Sequence, residues 1–332
     1  MKVIIPMAGM GKRLRPHTLT TPKPLFPIAG KPIVQRLVED IAAIAKTKID
    51  VIAFVVGDFG KAVEQQLLDI AATNGSKGKI YYQQEALGTA HAILCAKESL
   101  DDELIIAFAD TLFEADFTLD KNKDGVIWVK SVEDPRNFGV VKLDKNKVIT
   151  ELVEKPQTFV SDLAIIGIYY IKNGSMLKKE MEYLVQNNIR TKGEYQLTDA
   201  LSSMTEKGLK FAAGEVKTWM DCGNKEAVLD TNQKILNRQQ TNNTIAPSAQ
   251  VKNSVVIAPS FIGENVVVEN AVIGPYVSIG SKSHVRNTVI QNSIVREECR
   301  VENCSLDNTI LGNNVVVQTT PESLNLGDFS VK

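Results

Sequence analysis

From Met1 to Val38 the chain carries Lys2, Lys12, Arg13, Arg15, Lys23, Lys31 and Arg36 without one Asp or Glu, although its formal net charge is only -1. The cations gather around Gly9 and Gly11, which follow the apolar run "KVIIP". A glycine turn after a strand exposes backbone N–H groups that can cradle a phosphate. The glycines alone suit an ordinary strand-to-helix turn equally well, since they match neither GxGxxG nor GxxxxGK[ST]. Arg13, Arg15 and Lys23 weight the balance toward phosphate, because a triphosphate needs several counter-charges. Pro22 and Pro24 flank Lys23 and restrict where its ammonium points. No long basic run follows a polymer backbone, which excludes nucleic acid as the expected partner.

Asp110 closes the apolar run "LIIAFAD". A carboxylate at a strand's carboxyl end sits where α/β proteins bind ligands, although a turn-capping aspartate has the same position. His17, His91 and His284 are scattered and suggest no catalytic triad. Cys95, Cys222, Cys299 and Cys304 lack CxxC spacing and read as reduced thiols of a cytoplasmic protein. "DKNKDG" from Asp120 resembles the start of a calcium loop, but the twelfth position is Ser131 and lysines intervene, so it reads as a turn.

The elements that must position these groups fall into two kinds of chain. Its 332 residues, 44% of them hydrophobic, suit two soluble domains. Up to Arg238, the strand-like runs "KVIIP", "VIAFVV", "KIYYQ", "LIIAFA", "GVIWVK" and "AIIGIYYI" occur with helical stretches between the early ones. This predicts an α/β domain, Rossmann-like, with a mostly parallel sheet over residues 1–238. "RQQTNNT" reads as a linker. Over 245–318 an aliphatic residue then recurs every five or six positions, from Ile245, Val251, Val256 and Ile262 to Leu306, Leu311 and Val317. That period predicts a hexapeptide β-helix of some four coils, with 319–332 a tail. No run approaches the roughly 18 apolar residues of a membrane span, and the N-terminus has no signal-peptide pattern.

"AGMGKRLRPHTLTTPKPLFPIAGKPIV" resembles the signature of the sugar-1-phosphate nucleotidylyltransferases, close to GGxGTRLxPxTxxxPKPLxPxxGKP. "QQEALGTAHAI", "FADTLF", "FGVV", "LVEKP", "GEYQLTD" and "WMDCGN" follow in the family's order. The resemblance, of the glucose-1-phosphate thymidylyltransferase kind, covers roughly the first 235 residues. A hexapeptide tail, here a left-handed parallel β-helix, occurs in several branches of that family. The implied reaction joins an NTP to a sugar 1-phosphate and releases pyrophosphate by direct in-line displacement, with no protein nucleophile.

Residue by residue, the resemblance implies that Arg13 holds the triphosphate and that Lys23 lies at the α-phosphate. Asp110 and Asp221 would bind Mg²⁺, for which two carboxylates suffice. Ala8, Gly9, Met10, Gly11, Lys12, Gln83, Gly88 and Thr89 fall on the nucleotide side. Gly139, Glu154, Lys155, Glu194 and Trp219 fall on the sugar-phosphate side, Trp219 being equally placed for core packing. Ala8 replaces the common Gly, and Lys12 replaces the usual Thr and adds a cation.

dTTP or UTP with glucose 1-phosphate is the favoured pair, and a mannose-1-phosphate guanylyltransferase-type specificity is an alternative. A catalytically dead regulatory subunit is a second alternative, disfavoured because Arg13, Lys23, Asp110 and Asp221 are all present. An acyltransferase in the β-helix is a third, disfavoured because only His284 lies there and no long insertion breaks the period. The β-helix is expected to join copies into a homo-oligomer.

Overall fold

The computed structural model describes residues 1–45, 47–115, 122–238 and 244–331. Asp120 of the calcium-loop decoy and most of the linker therefore lie outside the described residues. Two compact units emerge: Met1–Phe26 with Pro32–Gly223, and Pro27–Lys31 with Asn224–Lys332.

Among the described residues, the first unit is built on a nine-stranded sheet. Its parallel part runs Leu104–Ala107, Lys2–Pro6, Val51–Val56, Lys77–Tyr82 in spatial order. The other part turns antiparallel at Leu163–Ile171, which pairs with Leu104–Ala107, Gly125–Ser131 and Gly139–Leu143. Ile149–Glu154 closes that side against Gly139–Leu143, and the ninth strand, Phe211–Glu215, runs parallel to Gly125–Ser131. The sheet is thus mixed, because an apolar run records burial but not strand direction. Val3, Ile4, Ile52, Phe54, Ile105 and Ile106 are buried, as strands covered on both faces require.

Helices α1 (Ile33–Ala45), α2 (Lys61–Thr73), α3 (Thr89–Cys95), α4 (Gly174–Gln186) and α5 (Leu197–Glu206) accompany the sheet. In α1, Ile33, Leu37 and Ile41 are buried along one face and Ile44 is half-buried on it, as their spacing implies. Asn173 caps α4 by accepting a hydrogen bond from the Met176 N–H. Thr111–Glu114 and Thr218–Asp221 form a separate antiparallel ribbon in which Asp221 faces Thr111.

The second unit is a parallel β-helix preceded by α6 (Lys225–Arg238). Among the described residues, fourteen short strands stack in three sheets of five, five and four. Every aliphatic residue of the six-residue period lies in one of them, directly above its counterpart: Ile245 on Ile262, Val268 on Val285, Ile290 on Leu306. Their inward faces make a continuous apolar column that includes Ile262, Val268, Ile273, Ile279, Val285, Ile290, Val295 and Val301. The coils match the hexapeptide β-helix expected from the period and are consistent with the left-handed form that the resemblance implies. One corner is turned by Asn253, Asn270, Asn287 and Asn303, all at positive φ. Their amides donate coil to coil at 2.7, 3.2 and 2.9 Å. Asn is among the few residues that tolerate this backbone region.

The first compact unit ends at Gly223, and α6 clusters with the coils together with the loop Pro27–Lys31. An amphipathic pattern shows that a helix buries one face without showing against which body.

Among the described residues no helix is long and apolar enough to cross a membrane. The tail runs exposed, with Leu324, Leu326, Phe329 and Val331 open to solvent.

Candidate active site

A cavity of about 440 Å³ opens at the carboxyl ends of the parallel strands. Pro6, Met7 and Ala8 enter its wall from Lys2–Pro6, Gln83 from Lys77–Tyr82, and Phe108, Ala109 and Asp110 from Leu104–Ala107. This is where an open α/β sheet leaves a crevice.

The glycine turn forms the floor. Gly11 has φ +57°, and a Cβ there would stand 3.0 Å from the Lys23 Cβ and 3.1 Å from the Thr18 methyl. Thr18 donates its hydroxyl hydrogen to the Gly11 carbonyl at 2.8 Å, fixing the turn. Gly9 is different: a Cβ would meet nothing within 4 Å. The turn leads into the short 3-10 segment Lys12–Leu14, where Leu14 is buried and Lys12 and Arg13 stay exposed on the cavity wall.

Four charges converge at one end. The Lys23 ammonium lies 3.1 Å from Asp110 Oδ2, and Lys23 is only 8% exposed. A lysine so buried requires an anionic partner. Cys222 donates its backbone N–H to the Asp110 carbonyl at 3.0 Å, which sets the ribbon carrying Asp221 beside Asp110. Burial raises the pKa of Asp221, and the Asp110 charge raises it further, while Lys23, the Gly223 N–H and Arg13 pull it back. A Cβ on Gly223 would lie 2.8 Å from Asp221 Oδ2 and 3.0 Å from an Arg13 guanidinium nitrogen. The fold therefore brings Arg13, Lys23, Asp110 and Asp221 together.

The opposite end of the cavity is made by Gln83, Ala86, Gly88, Thr89 and Glu194. Gly88 has φ +115°, and a Cβ there would press to 2.4 Å on the Tyr195 carbonyl oxygen. Only glycine allows this approach. Tyr195 N–H donates to the Leu87 carbonyl, and Ala90 N–H to the Tyr195 carbonyl, both at 2.9 Å. The Thr89 hydroxyl accepts from Leu197 N–H and donates to Gln196 Oε1, so it is engaged in the scaffold. Glu194 accepts from Gln196 Nε2 at 3.1 Å and shares the wall with Gln83, although its motif pointed to the sugar side. Met10 is 62% exposed and does not line the cavity.

Gly139, Glu154, Lys155 and Trp219 are not on that wall; they form a second group. A Cβ on Gly139 would lie 3.1 Å from Glu154 Oε2, and Thr198 donates to the same oxygen at 3.0 Å. The Lys155 ammonium lies 3.6 Å from Glu154 Oε1. Lys155 has φ +45°, and its backbone N–H donates to the Phe138 carbonyl at 3.0 Å. A non-glycine residue in that region stores strain, a feature common at functional sites. Trp219 packs edge-on against Phe138 at 5.0 Å, and its buried indole N–H has no hydrogen-bond partner among the described residues.

Residues 2–238 match the nucleotidyl transferase family. The chain belongs to that family. The "Bifunctional protein GlmU" of Methanocaldococcus jannaschii is 34% identical over 276 residues, covering 82% of this nucleotidyl transferase and 61% of the relative. The chain thus matches less than two thirds of that relative's length. "Low-salt glycan biosynthesis nucleotidyltransferase Agl11" of Haloferax volcanii is 29% identical with 87% of each chain covered. "Glucose-1-phosphate thymidylyltransferase" of Streptomyces antibioticus is 28% identical, covering 88% of this chain and 86% of its own. In fold, the chain resembles a UDP-glucose pyrophosphorylase solved with UDP-glucose: TM-score 0.58, 24% identity, 71% of this chain and 98% of the other.

Sequence reasoning missed several residues that shape the candidate site. His91, whose Nδ1 lies 3.2 Å from Gln83 Nε2, was passed over because it formed no triad. Gln196 and Thr198 escaped because their role is to hold Thr89, Glu194 and Glu154, and a polar residue at the entry to an amphipathic helix gives no such signal.

Proposed function

We propose that the protein transfers a nucleotidyl group from an NTP to a sugar 1-phosphate, with dTTP or UTP and glucose 1-phosphate the favoured pair. The observation that carries this reading is the convergence of Arg13, Lys23, Asp110 and Asp221 beside the glycine turn. A phosphate oxygen of the sugar phosphate attacks the α-phosphorus, the bond to the bridging oxygen of the β-phosphate breaks, and pyrophosphate leaves. Such a displacement needs positioning and charge stabilisation, not a protein nucleophile. Lys23 meets the α-phosphate, Arg13 and the Gly9–Gly11 turn hold the departing pyrophosphate, and Lys12 adds charge there. Gln83 and Gly88 read the base. Lys155 neutralises the sugar phosphate, and Glu154 accepts sugar hydroxyls. The near-full-length match to the thymidylyltransferase of Streptomyces antibioticus supports the preferred pair.

Among the described residues no group of three or more His, Cys, Asp or Glu side chains forms a complete metal cage. Two half-buried carboxylates that repel one another nevertheless fit Mg²⁺, which completes its sphere with phosphate oxygens and water. Asp110 and Asp221 would hold it, and when bound it would polarise the α-phosphate. The protein is proposed to act in the cytoplasm, with the β-helix joining copies into a homo-oligomer.

Pyrophosphate release from four nucleotides against a panel of sugar 1-phosphates tests the assignment. Turnover of at least one pair is expected, and no turnover with any pair would overturn it. Lys155→Ala is expected to raise KM for the sugar 1-phosphate about tenfold, the scale of one lost charge-assisted contact, with little change in the nucleotide KM. The reverse pattern would move Lys155 to the other substrate. The two turn glycines should separate stability from binding. Gly11→Ala should cost roughly 1–2 kcal/mol through its left-handed backbone alone, seen as a lower Tm. Gly9→Ala should melt within about 0.5 kcal/mol of the parent, as an unstrained exposed change does, yet bind nucleotide more weakly. Equal affinity would remove Gly9 from the phosphate cradle.

A further inference from the structure

Gln83 has an amide, which offers a donor at one end and an acceptor at the other. Its surroundings remove that ambiguity. The Gln83 backbone is pinned by its N–H to the Val56 carbonyl at 2.9 Å. Its side-chain Nε2 lies 3.4 Å from the Gly88 carbonyl oxygen and 3.2 Å from His91 Nδ1. A carbonyl oxygen can only accept, so the NH₂ end faces Gly88. His91 Nδ1, on that same NH₂, must then accept as well. The ring is consequently neutral, with its proton on Nε2. Burial lowers the His91 pKa against the opposing pull of Glu85, in keeping with a neutral ring. Both hydrogens of the NH₂ group are now committed, and Oε1 is the only function Gln83 has left to offer on the cavity wall.

We propose that His91 is a positioning residue that locks Gln83 as a pure acceptor and so restricts the nucleotide to bases with a ring N–H. The inference rests on the proposed reading of this cavity as the nucleotide site. Uracil and thymine present N3–H, and guanine presents N1–H. Cytosine N3 and adenine N1 carry a lone pair at the corresponding edge and would face Oε1 acceptor to acceptor. A site that leaves buried polar groups unpaired with the wrong ligand discriminates far more strongly than one that differs by a methyl. His91 itself need not touch the base: it lies behind Gln83, on the short helix α3, and also lines a second cleft with Cys95, Glu182 and Gln186.

The test compares equilibrium binding of UTP and CTP to the full-length protein by calorimetry, with no sugar phosphate present. The parent should prefer UTP. His91→Phe keeps a ring but removes the nearer acceptor, so the amide is held only by the 3.4 Å contact to the Gly88 carbonyl and turns over more readily. The UTP-to-CTP affinity ratio should fall about tenfold or more, the scale of a buried hydrogen-bonding group left unpaired. His91→Asn places a side-chain oxygen close to the position of Nδ1 and should restore most of the preference. In turnover, the loss in His91→Phe should appear in the nucleotide KM, with kcat and the sugar-phosphate KM close to the parent's. A merely structural role would lower Tm and leave the ratio alone. A parent without preference for UTP, a ratio unmoved in His91→Phe, or equal loss in both variants would overturn the inference. A parent that binds UTP selectively but releases pyrophosphate with no sugar 1-phosphate would overturn the proposed function and leave the role of His91 intact.

Discussion

Asp110→Asn and Asp221→Asn should each lower kcat by at least ~100-fold, the loss expected when a main electrostatic stabiliser of a transition state is removed. The two variants should part company in stability. Asp110 is the partner of the nearly buried Lys23 ammonium, so its loss strands a charge and should lower Tm. Asp221 is the opposite case. Burial and the Asp110 charge together raise its folded pKa above the ordinary 3.8, so its ionised form costs stability. That cost sets in as the pH rises through the unfolded value and is complete above the folded one. Asp221→Asn should therefore melt higher than the parent at neutral pH in EDTA, with the advantage gone below the unfolded pKa. An inactive protein that is more stable than its parent marks a group retained for function. Near-normal kcat of either variant at limiting Mg²⁺ would remove that residue from the metal site.

These two carboxylates also show where the sequence was legible. Asp110 announced itself by ending an apolar run, since strand ends and ligand crevices coincide in α/β sheets. Nothing local marks Asp221. Its placement depends on the Thr111–Glu114 and Thr218–Asp221 pairing, a contact between distant segments that only the family motif anticipated. The β-helix was legible almost in full, because each aliphatic residue sits on one face of a repeating coil and the period is a local property. In the antiparallel part of the main sheet "GVIWVK" and "AIIGIYYI" were legible as strands, but "FGVV" and "LVEKP" read as motifs before they read as the strands Gly139–Leu143 and Ile149–Glu154. His91 was invisible for a related reason. Its importance lies in which atom of Gln83 it faces, and a spacing of eight residues across a turn does not encode that.

Helix α6 leads to the other large effect. Val228, Leu229, Ile235 and Leu236 are buried along it, as its apolar spacing implies, but Asn232 sits fully buried in the middle of the same stripe. A polar residue there must have partners. Its Oδ1 accepts from the Ala29 backbone N–H at 3.0 Å and from the Ser278 hydroxyl at 2.8 Å, and its Nδ2 points to the Tyr276 carbonyl at 3.5 Å. One amide thus ties together the loop Pro27–Lys31, α6 and a coil of the β-helix. Asn232→Leu should cost about 3 kcal/mol, since the Ala29 N–H and the Ser278 hydroxyl would each lose a buried acceptor worth about 1–3 kcal/mol. Gln233→Ala, one position along, removes only a half-buried bond to Asn292 and should cost under about 1 kcal/mol by the same reckoning. Thermal melting of the two variants decides the matter. Equal, small losses would show that α6 is held by its apolar face alone. A cut at Arg238 would leave the Asn232 amide with Ala29 but remove Ser278 and Tyr276, so the shortened chain should share the loss of Asn232→Leu.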